Sequence, residues 1–259
     1  MRTEPLRIVA VAAGLSQPSS TRLLADRLAE ATRERLTSEQ DRTVEVRVVE
    51  LRDLAVDIAN HLVTGFPSPA LGKAIEAVTR AEGLIAVTPV FTGSYSGLFK
   101  SFFDLVDNTA LTGKPVLIAA TGGTARHSLV LEHAMRPLFA YLRAAVVPTS
   151  VYAASEDWGA AGDEYTEGLP SRIRRAGGEL AGMVAGGRTA PRAPRADVQD
   201  GGSTPTAPDA PDAPGAPGAP GAPDEDSGTG SYGTKGADDA FDADNVVPFE
   251  QQLAELRVR

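Results

Sequence analysis

Cysteine is absent from this chain of 259 residues, and histidine occurs only three times. Without thiols there are no disulfides and no thiolate ligands for a metal ion. His61, His127 and His133 lack the clustered spacing of metal ligands. The sequence also shows no Ser/His/Asp arrangement and no paired-carboxylate pattern. We therefore expect neither a metal centre nor a catalytic side chain of those classes.

Long apolar runs are absent as well. No segment approaches the roughly 20 consecutive apolar residues that cross a bilayer. The first residues lead into a strand-like segment without a long apolar signal region. These absences predict a soluble, cytoplasmic protein that does not bind membranes.

Charge is distributed unevenly along the chain. Of the 34 acidic and 25 basic side chains, residues 187–259 hold 13 and 6. The remaining residues are nearly neutral, and a neutral surface does not attract the phosphate backbone. We therefore expect no nucleic-acid partner.

Composition divides the chain into three parts. Residues 1–185 have the composition of one folded domain. Residues 186–240 are mostly Pro, Ala, Gly and Asp, which predicts a disordered linker because too little apolar surface offsets the chain entropy. Residues 241–259 regain apolar side chains, and Leu253 and Leu256 share a helical face. We interpret them as a short docking segment on a flexible tether.

Five apolar segments alternate with helical patterns in the first part. The predicted strands are residues 6–13, 43–49, 83–88, 115–120 and 145–153, the last interrupted by Pro148. This alternation is typical of an α/β fold with a doubly wound parallel sheet. We expect Pro89 to end the third strand and residues 51–69 to form a long connection.

Small and hydroxyl residues follow the first, third and fourth strands. The three segments are residues 14–21, 92–97 and 121–124. In a sheet of order 2-1-3-4-5 these strands are neighbours, and their loops converge on one crevice. A Gly/Ser loop that leads into a helix binds phosphate, although Ser19, Ser20 or Thr21 can equally serve as a helix cap. Neither G-x-x-x-x-G-K-[ST] nor G-x-G-x-x-G occurs.

The order and spacing of three motifs resemble a known family. GLSQPSST, TPVFTGSYSGLFKSFFD and ATGGTARHSLVLEHAMRPLF are similar to the motifs of the flavodoxin-like NAD(P)H-dependent FMN reductases, which accompany alkanesulfonate monooxygenases. The first motif departs from the commoner G-S-x-R-x-x-S, because Leu15 separates Gly14 from Ser16 and no Arg precedes the helix. The ending AFDADNVVPFEQQLAELRVR also resembles reductases that partner luciferase-like monooxygenases.

The resemblance implies a flavodoxin-like five-stranded sheet and an enzyme that uses NADH or NADPH to reduce FMN. Reduced FMN would pass to a separate flavin-dependent monooxygenase. Two alternatives stay open: an FMN-bound quinone, azo-dye or metal-ion reductase, and a flavodoxin-type electron carrier. The flavin carries the chemistry in all three, so the protein positions it.

The same resemblance assigns residues to the flavin. It implies that Ser16, Ser20 and Thr21 bind the FMN phosphate. The ribityl chain and one edge of the ring would be lined by Pro89, Val90, Phe91, Thr92 and Ser94. The pyrimidine edge of the isoalloxazine ring would be contacted by backbone donors of Thr121, Gly122, Gly123 and Thr124. Arg126 is a candidate for a pyridine-nucleotide phosphate, and an exposed surface Arg is the alternative.

The helix predicted over residues 126–143 carries two further expectations. His133 matches the place where these reductases often insert a Tyr or His and form a π-bulge at the tetramer interface, and a plain interface or core histidine is the alternative. Pro137 predicts a kink. The helix has more apolar residues than one buried stripe needs: Leu129, Leu131, Met135, Leu138, Phe139 and Leu142. Together with the resemblance, this surplus predicts a homodimer or homotetramer. Lys100 and Asp104 fit a surface pair, and Trp158 fits either a flavin cover or a subunit contact.

Overall fold

The computed structural model describes residues 4–39, 43–158 and 168–186. Its strands are β1 (Leu6–Ala12), β2 (Val44–Glu50), β3 (Gly83–Phe91), β4 (Ser94–Tyr95), β5 (Pro115–Gly122), β6 (Ala145–Val146) and β7 (Val151–Ala154). Its α-helices are α1 (Ser20–Glu39), α2 (Ala55–Thr64), α3 (Pro69–Arg80), α4 (Gly97–Phe103), α5 (Arg136–Tyr141) and α6 (Leu169–Gly186). The predicted linker beyond Gly186 and the docking segment lie outside the described residues.

The sheet follows the order predicted from the sequence. Parallel strands run β2-β1-β3-β5, and β6 and β7 each pair with β5 in parallel. β6 and β7 are the two parts of the predicted fifth strand, and Pro148 between them has no N–H for the ladder. The doubly wound order 2-1-3-4-5 of the flavodoxin-like fold is therefore confirmed.

The two faces of the sheet bury separate cores. Successive side chains of a strand point to opposite faces, so Ile85 and Val87 pack with α1 and α6, whereas Leu84 and Ala86 pack with α2 to α5. Three phenylalanines tie α4 to α5, with ring centroids 4.7 Å apart for Phe99–Phe103 and 5.0 Å for Phe103–Phe139. Helices on both faces hold the strand ends at fixed positions. In the described residues, no helix has the length and apolar character needed to cross a bilayer.

Lys114 fixes the start of β5 against α3. Its buried ammonium donates to the backbone carbonyls of Val78, Thr79 and Ala81 at 2.8, 2.9 and 2.7 Å. These carbonyls belong to the end of α3, where the last turn lacks helical donors. The lysine therefore satisfies a helix end and positions the strand that leads to the third loop.

Pro89 does not end the third strand, contrary to the sequence prediction. β3 continues to Phe91 and turns back into β4, with Val90 opposite Tyr95. The ladder between β1 and β3 stops at Val87. Because no β1 residue lies opposite Pro89, the missing N–H breaks no bond on that side, and Pro89 stays paired in register with Thr121 of β5.

Residues 51–64 are helical, whereas the sequence suggested a loop and a long connection. A 3₁₀ turn, Leu51–Leu54, leads directly into α2, which ends at Thr64 and is followed by Gly65 with a φ of 77°. Ile58 is the buried residue of α2. Ala55, Ile58, Ala59 and Leu62 do recur at helical spacing, so the sequence held an amphipathic signal that our prediction overlooked.

The helix predicted over residues 126–143 is divided into three parts. A 3₁₀ turn at Ala125–His127 comes first, then a π-helical segment at Leu131–Met135, and then α5. Pro137 has no N–H to donate to the carbonyl of His133, so the irregular turn lies just before the proline. The expected π-bulge at His133 is confirmed.

Candidate functional site

The three loops predicted from the sequence begin along one edge of the sheet. β1, β3 and β5 are neighbours, and Val87 lies opposite both Ala12 and Ala119. Parallel strands in register end at the same edge, so the segments that follow them start side by side. This edge is the candidate site.

The first loop closes tightly on the N-terminus of α1. Ser19 caps the helix: its hydroxyl accepts from the Arg22 N–H at 3.1 Å, and its carbonyl accepts from the Leu23 N–H at 3.0 Å. A Cβ on Gly14 would overlap the Ser19 hydroxyl, so the closure requires glycine. Ser16 is exposed and Ser20 is half-buried. The first-turn N–H groups of Ser20 and Thr21 point out of the helix, where an anion is stabilised.

A hydrogen bond joins the first loop to the third. The hydroxyl oxygens of Thr21 and Thr121 lie 2.8 Å apart, and the side chains are 2% and 3% exposed. The Thr21 side chain is thus engaged inside the protein, and its backbone N–H is the group left for a ligand. Sequence spacing brings these residues to one edge, but the direct bond between them is apparent only in the structure.

The second loop is a β-hairpin that stands out from the sheet edge. Thr92 and Gly93 form its tip with φ of 49° and 74°, the positive values of a two-residue hairpin turn. Thr88 anchors the base, because its buried hydroxyl accepts from the Ser96 N–H at 3.0 Å and donates to the Pro89 carbonyl at 2.9 Å. Phe91 is 46% exposed. The hairpin therefore presents an aromatic ring beside the crevice.

The third loop places main-chain atoms that no side chain covers at the same edge of the sheet. Thr121 and Gly122 still belong to β5, while Gly123 lies beyond it with open space where a Cβ would be. The Thr124 hydroxyl accepts from the Arg126 N–H at 3.3 Å and caps the following 3₁₀ turn. An open glycine next to a strand end allows a flat ligand to approach the main chain.

Tyr152 shapes the third loop, and sequence reasoning missed it. Its hydroxyl donates to the Thr124 carbonyl at 2.8 Å and lies against Gly122, where a Cβ would overlap the phenol oxygen. Burial raises the pKa of Tyr152, and the nearby carboxylates of Glu156 and Asp157 add to the shift. The phenol therefore stays a donor at neutral pH. The one available signal was a polar-tipped residue within the apolar fifth strand.

The other candidate residues have simpler surroundings. Arg126 and His127 are exposed, and His133 is exposed within the π segment. Lys100 and Asp104 form the predicted surface ion pair on one side of α4. Trp158 is half-buried, with the Arg27 guanidinium 5.2 Å from its ring centroid. This contact places the indole against α1.

A protein-family model matches most of the residues that the structure describes. The model of the NADPH-dependent FMN reductases matches residues 6–159. An FMN reductase (NADPH) from Pseudomonas aeruginosa is 39% identical over 190 residues, which cover 72% of this chain and 96% of that protein. The NADH-dependent FMN reductase SfnF from Pseudomonas fluorescens is 37% identical, over 67% of this chain and 89% of its own length.

Two solved structures are also similar to this chain in sequence and fold. An oxidoreductase from Corynebacterium diphtheriae is 44% identical with a TM-score of 0.67, and the match covers 71% of this chain and 99% of that one. The apo form of an NADH:FMN oxidoreductase named EmoB is 29% identical with a TM-score of 0.56, over 70% of this chain and 89% of its own. The similarity therefore extends across the described domain and across most of each neighbour.

The contact between Gly122 and Tyr152 leads to a stability prediction. Gly122→Ala should lower the free energy of unfolding by about 1–3 kcal/mol, because the new methyl displaces the phenol from the Thr124 carbonyl. Gly123→Ala, with open space at that position, is the matched control and should change stability far less. Denaturant titration measures all variants. Adding Tyr152→Phe to Gly122→Ala should recover part of the loss, and a full additive loss would contradict the account.

Proposed function

The chain belongs to the NADPH-dependent FMN reductase family, and from this premise we propose that it binds FMN as an exchangeable substrate in the three-loop crevice. The chain is an NAD(P)H-dependent FMN oxidoreductase. The observation that carries the site assignment is the buried bond between Thr21 and Thr121, which joins a helix N-terminus to an open strand end. The first loop, at the helix N-terminus, suits an anion, and the third loop, at the open strand end, suits a flat ring.

The first loop suits the FMN phosphate. A phosphate ester carries close to two negative charges at neutral pH, and the N-terminus of α1 offers free N–H groups and a positive dipole end. We assign the phosphate to the hydroxyls of Ser16 and Ser20 and to the backbone N–H of Thr21. The hydroxyl of Thr21 is bonded to Thr121, so the assignment for Thr21 rests on its main chain.

The second and third loops suit the rest of FMN. We assign the ribityl chain and one ring edge to the hairpin residues Pro89, Val90, Phe91, Thr92 and Ser94. The pyrimidine edge falls to the backbone of Thr121, Gly122, Gly123 and Thr124, where the open face of Gly123 leaves room for a ring. These assignments fit a planar, polar-edged ligand.

The chemistry requires positioning rather than an acid or base from the chain. FMN, when bound, would supply the acceptor for the hydride of NADPH or NADH. The chain's residues then bind the phosphate, orient the ring with backbone donors and leave one ring face open to the nicotinamide. Arg126 is exposed beside the third loop, and we assign to its guanidinium a phosphate of the pyridine nucleotide.

We further propose that reduced FMN passes to a flavin-dependent, luciferase-like monooxygenase and that the enzyme assembles as a homodimer or homotetramer. Four of the six apolar residues predicted as surplus are in the core: Leu131, Met135, Phe139 and Leu142. Of the other two, Leu138 is half-buried and Leu129 is 62% exposed, and Tyr141 at the far end of the same segment is 74% exposed. Single exposed apolar side chains are normal on a protein surface, so the assembly proposal is supported by the family resemblance and not by this helix.

Steady-state kinetics tests the reaction assigned to the site. NADPH or NADH oxidation should require added FMN and saturate with it, because the flavin is a substrate that leaves. Protein purified without flavin should turn over quinones poorly unless FMN is added. Quinone turnover without free flavin would favour a retained-flavin reductase instead, and no turnover with any acceptor would leave an electron carrier.

The phosphate assignment predicts a discrimination between flavins. Ser16→Ala and Ser20→Ala should each weaken FMN binding by about tenfold, because each removes a hydroxyl bonded to a charged group. Riboflavin, which lacks the phosphate, should bind the variants and the wild type equally in fluorescence titrations. Ser38→Ala, roughly 27 Å along α1, is the control. Equal losses for both flavins would contradict the assignment.

Truncation tests the roles proposed for residues 241–259 and for assembly. We propose that this segment docks on the oligomer or on the partner monooxygenase. A chain ending at Gly186 should keep FMN reduction and lose either oligomer size in light scattering or coupling to the monooxygenase. If reduction, size and coupling are all unchanged, the segment has no docking role. A full-length chain that stays a monomer at micromolar concentration would contradict the assembly proposal.

A further inference from the structure

Two arginines beside the first loop share one carboxylate. Glu50 is the last residue of β2 and lies opposite Ala12 in register, next to the start of the first loop. One of its oxygens accepts from Nη1 of Arg22 at 2.5 Å, and the other lies 3.1 Å from Nη2 of Arg52. The Glu50 side chain is 19% exposed. Its charge is therefore held close to both guanidinium groups.

Arg52 also touches the first loop directly. Its Nη1 donates to the carbonyl oxygen of Ser16 at 2.9 Å. The Gln17 amide, oriented with its oxygen toward the guanidinium, accepts from the same arginine. Arg52 thus braces the loop assigned to the FMN phosphate, although it comes from the segment after β2.

The charges around this brace sum to a negative value. Arg22 pairs with Asp26 through Nε at 2.9 Å as well as with Glu50. Arg52 pairs with Asp53 through Nε at 3.4 Å as well as with Glu50. Two cations are thus matched by three carboxylates. An anion that approaches the first loop finds arginines whose charge is already neutralised.

We propose that Glu50 sets the affinity for FMN by neutralising Arg22 and Arg52 at the phosphate loop. The arginines keep the loop in shape through their donors, while Glu50 cancels their attraction for the phosphate dianion. FMN is thereby held by hydroxyls and backbone N–H groups and leaves readily as a product. This inference rests on the proposed function, because it needs the phosphate at the first loop.

Glu50→Gln separates the charge of Glu50 from its hydrogen bonding. The amide oxygen still accepts from one of the two arginines, and the bond from Arg52 to the Ser16 carbonyl does not involve Glu50, but one negative charge is gone. The dissociation constant for FMN should fall by roughly three- to tenfold at low salt, because a phosphate dianion gains attraction across a short distance. Riboflavin affinity should not change. Raising the salt to about 0.5 M should reduce the gain, since mobile ions screen the added attraction.

Two further variants control for the structure and for the overall charge. Glu50→Asp keeps the charge and should keep the FMN affinity near that of the wild type. Glu45→Gln makes the same charge change on the same strand, roughly 16 Å away at the opposite sheet edge. Glu45 is exposed and pairs in register with Arg7. It should leave both flavin affinities unchanged.

Fluorescence titration of FMN and riboflavin with the full-length chain decides the proposal. Tighter FMN binding by Glu50→Gln alone, with riboflavin unchanged, supports it. Unchanged or weaker FMN binding overturns it, and so does an equal gain for riboflavin or for Glu45→Gln. A wild-type chain that binds FMN and riboflavin equally would instead overturn the phosphate assignment, and with it the basis of this inference.

Discussion

The site depends on a buried hydrogen bond between two threonine hydroxyls. Thr21 lies in the first turn of α1 and Thr121 is the last residue but one of β5, and β1 and β5 flank β3 in the sheet. Their bond fixes the N-terminus of a helix against an open strand end. Neither hydroxyl contacts water freely, so losing one partner leaves the other unsatisfied at a cost of about 1–3 kcal/mol. A ligand that uses both loops therefore meets a preformed arrangement.

The family's reaction explains why such an arrangement suffices. Hydride transfer between NAD(P)H and FMN is carried by the nicotinamide and flavin rings themselves, so the enzyme contributes position and electrostatics. The described residues provide backbone donors, hydroxyls and an aromatic hairpin at one sheet edge. The carboxylate of Glu50 is shared by Arg22 and Arg52, and on our proposal it adjusts how strongly the phosphate is held without changing the loop.

Sequence patterns predicted most of the fold because its elements follow local rules. Buried parallel strands appear as continuous apolar runs, as in residues 84–87, and the alternation with helices fixes the strand order. The prediction was wrong where tertiary contacts override local rules. Pro89 stays in a strand because no β1 residue lies opposite it. The packing of Tyr152 on Gly122 joins residues about 30 positions apart, which no local pattern reveals.

A structure of the chain with FMN bound tests the central claim most directly. The account predicts the phosphate at the N-terminus of α1, within hydrogen-bond distance of Ser20 and the Thr21 N–H, and the ring between the hairpin and Gly123. A second polar cavity lies at the opposite sheet edge, lined in part by Arg7, Arg47, Lys73 and Arg80. A phosphate seated there, with the three loops unengaged, would contradict the account.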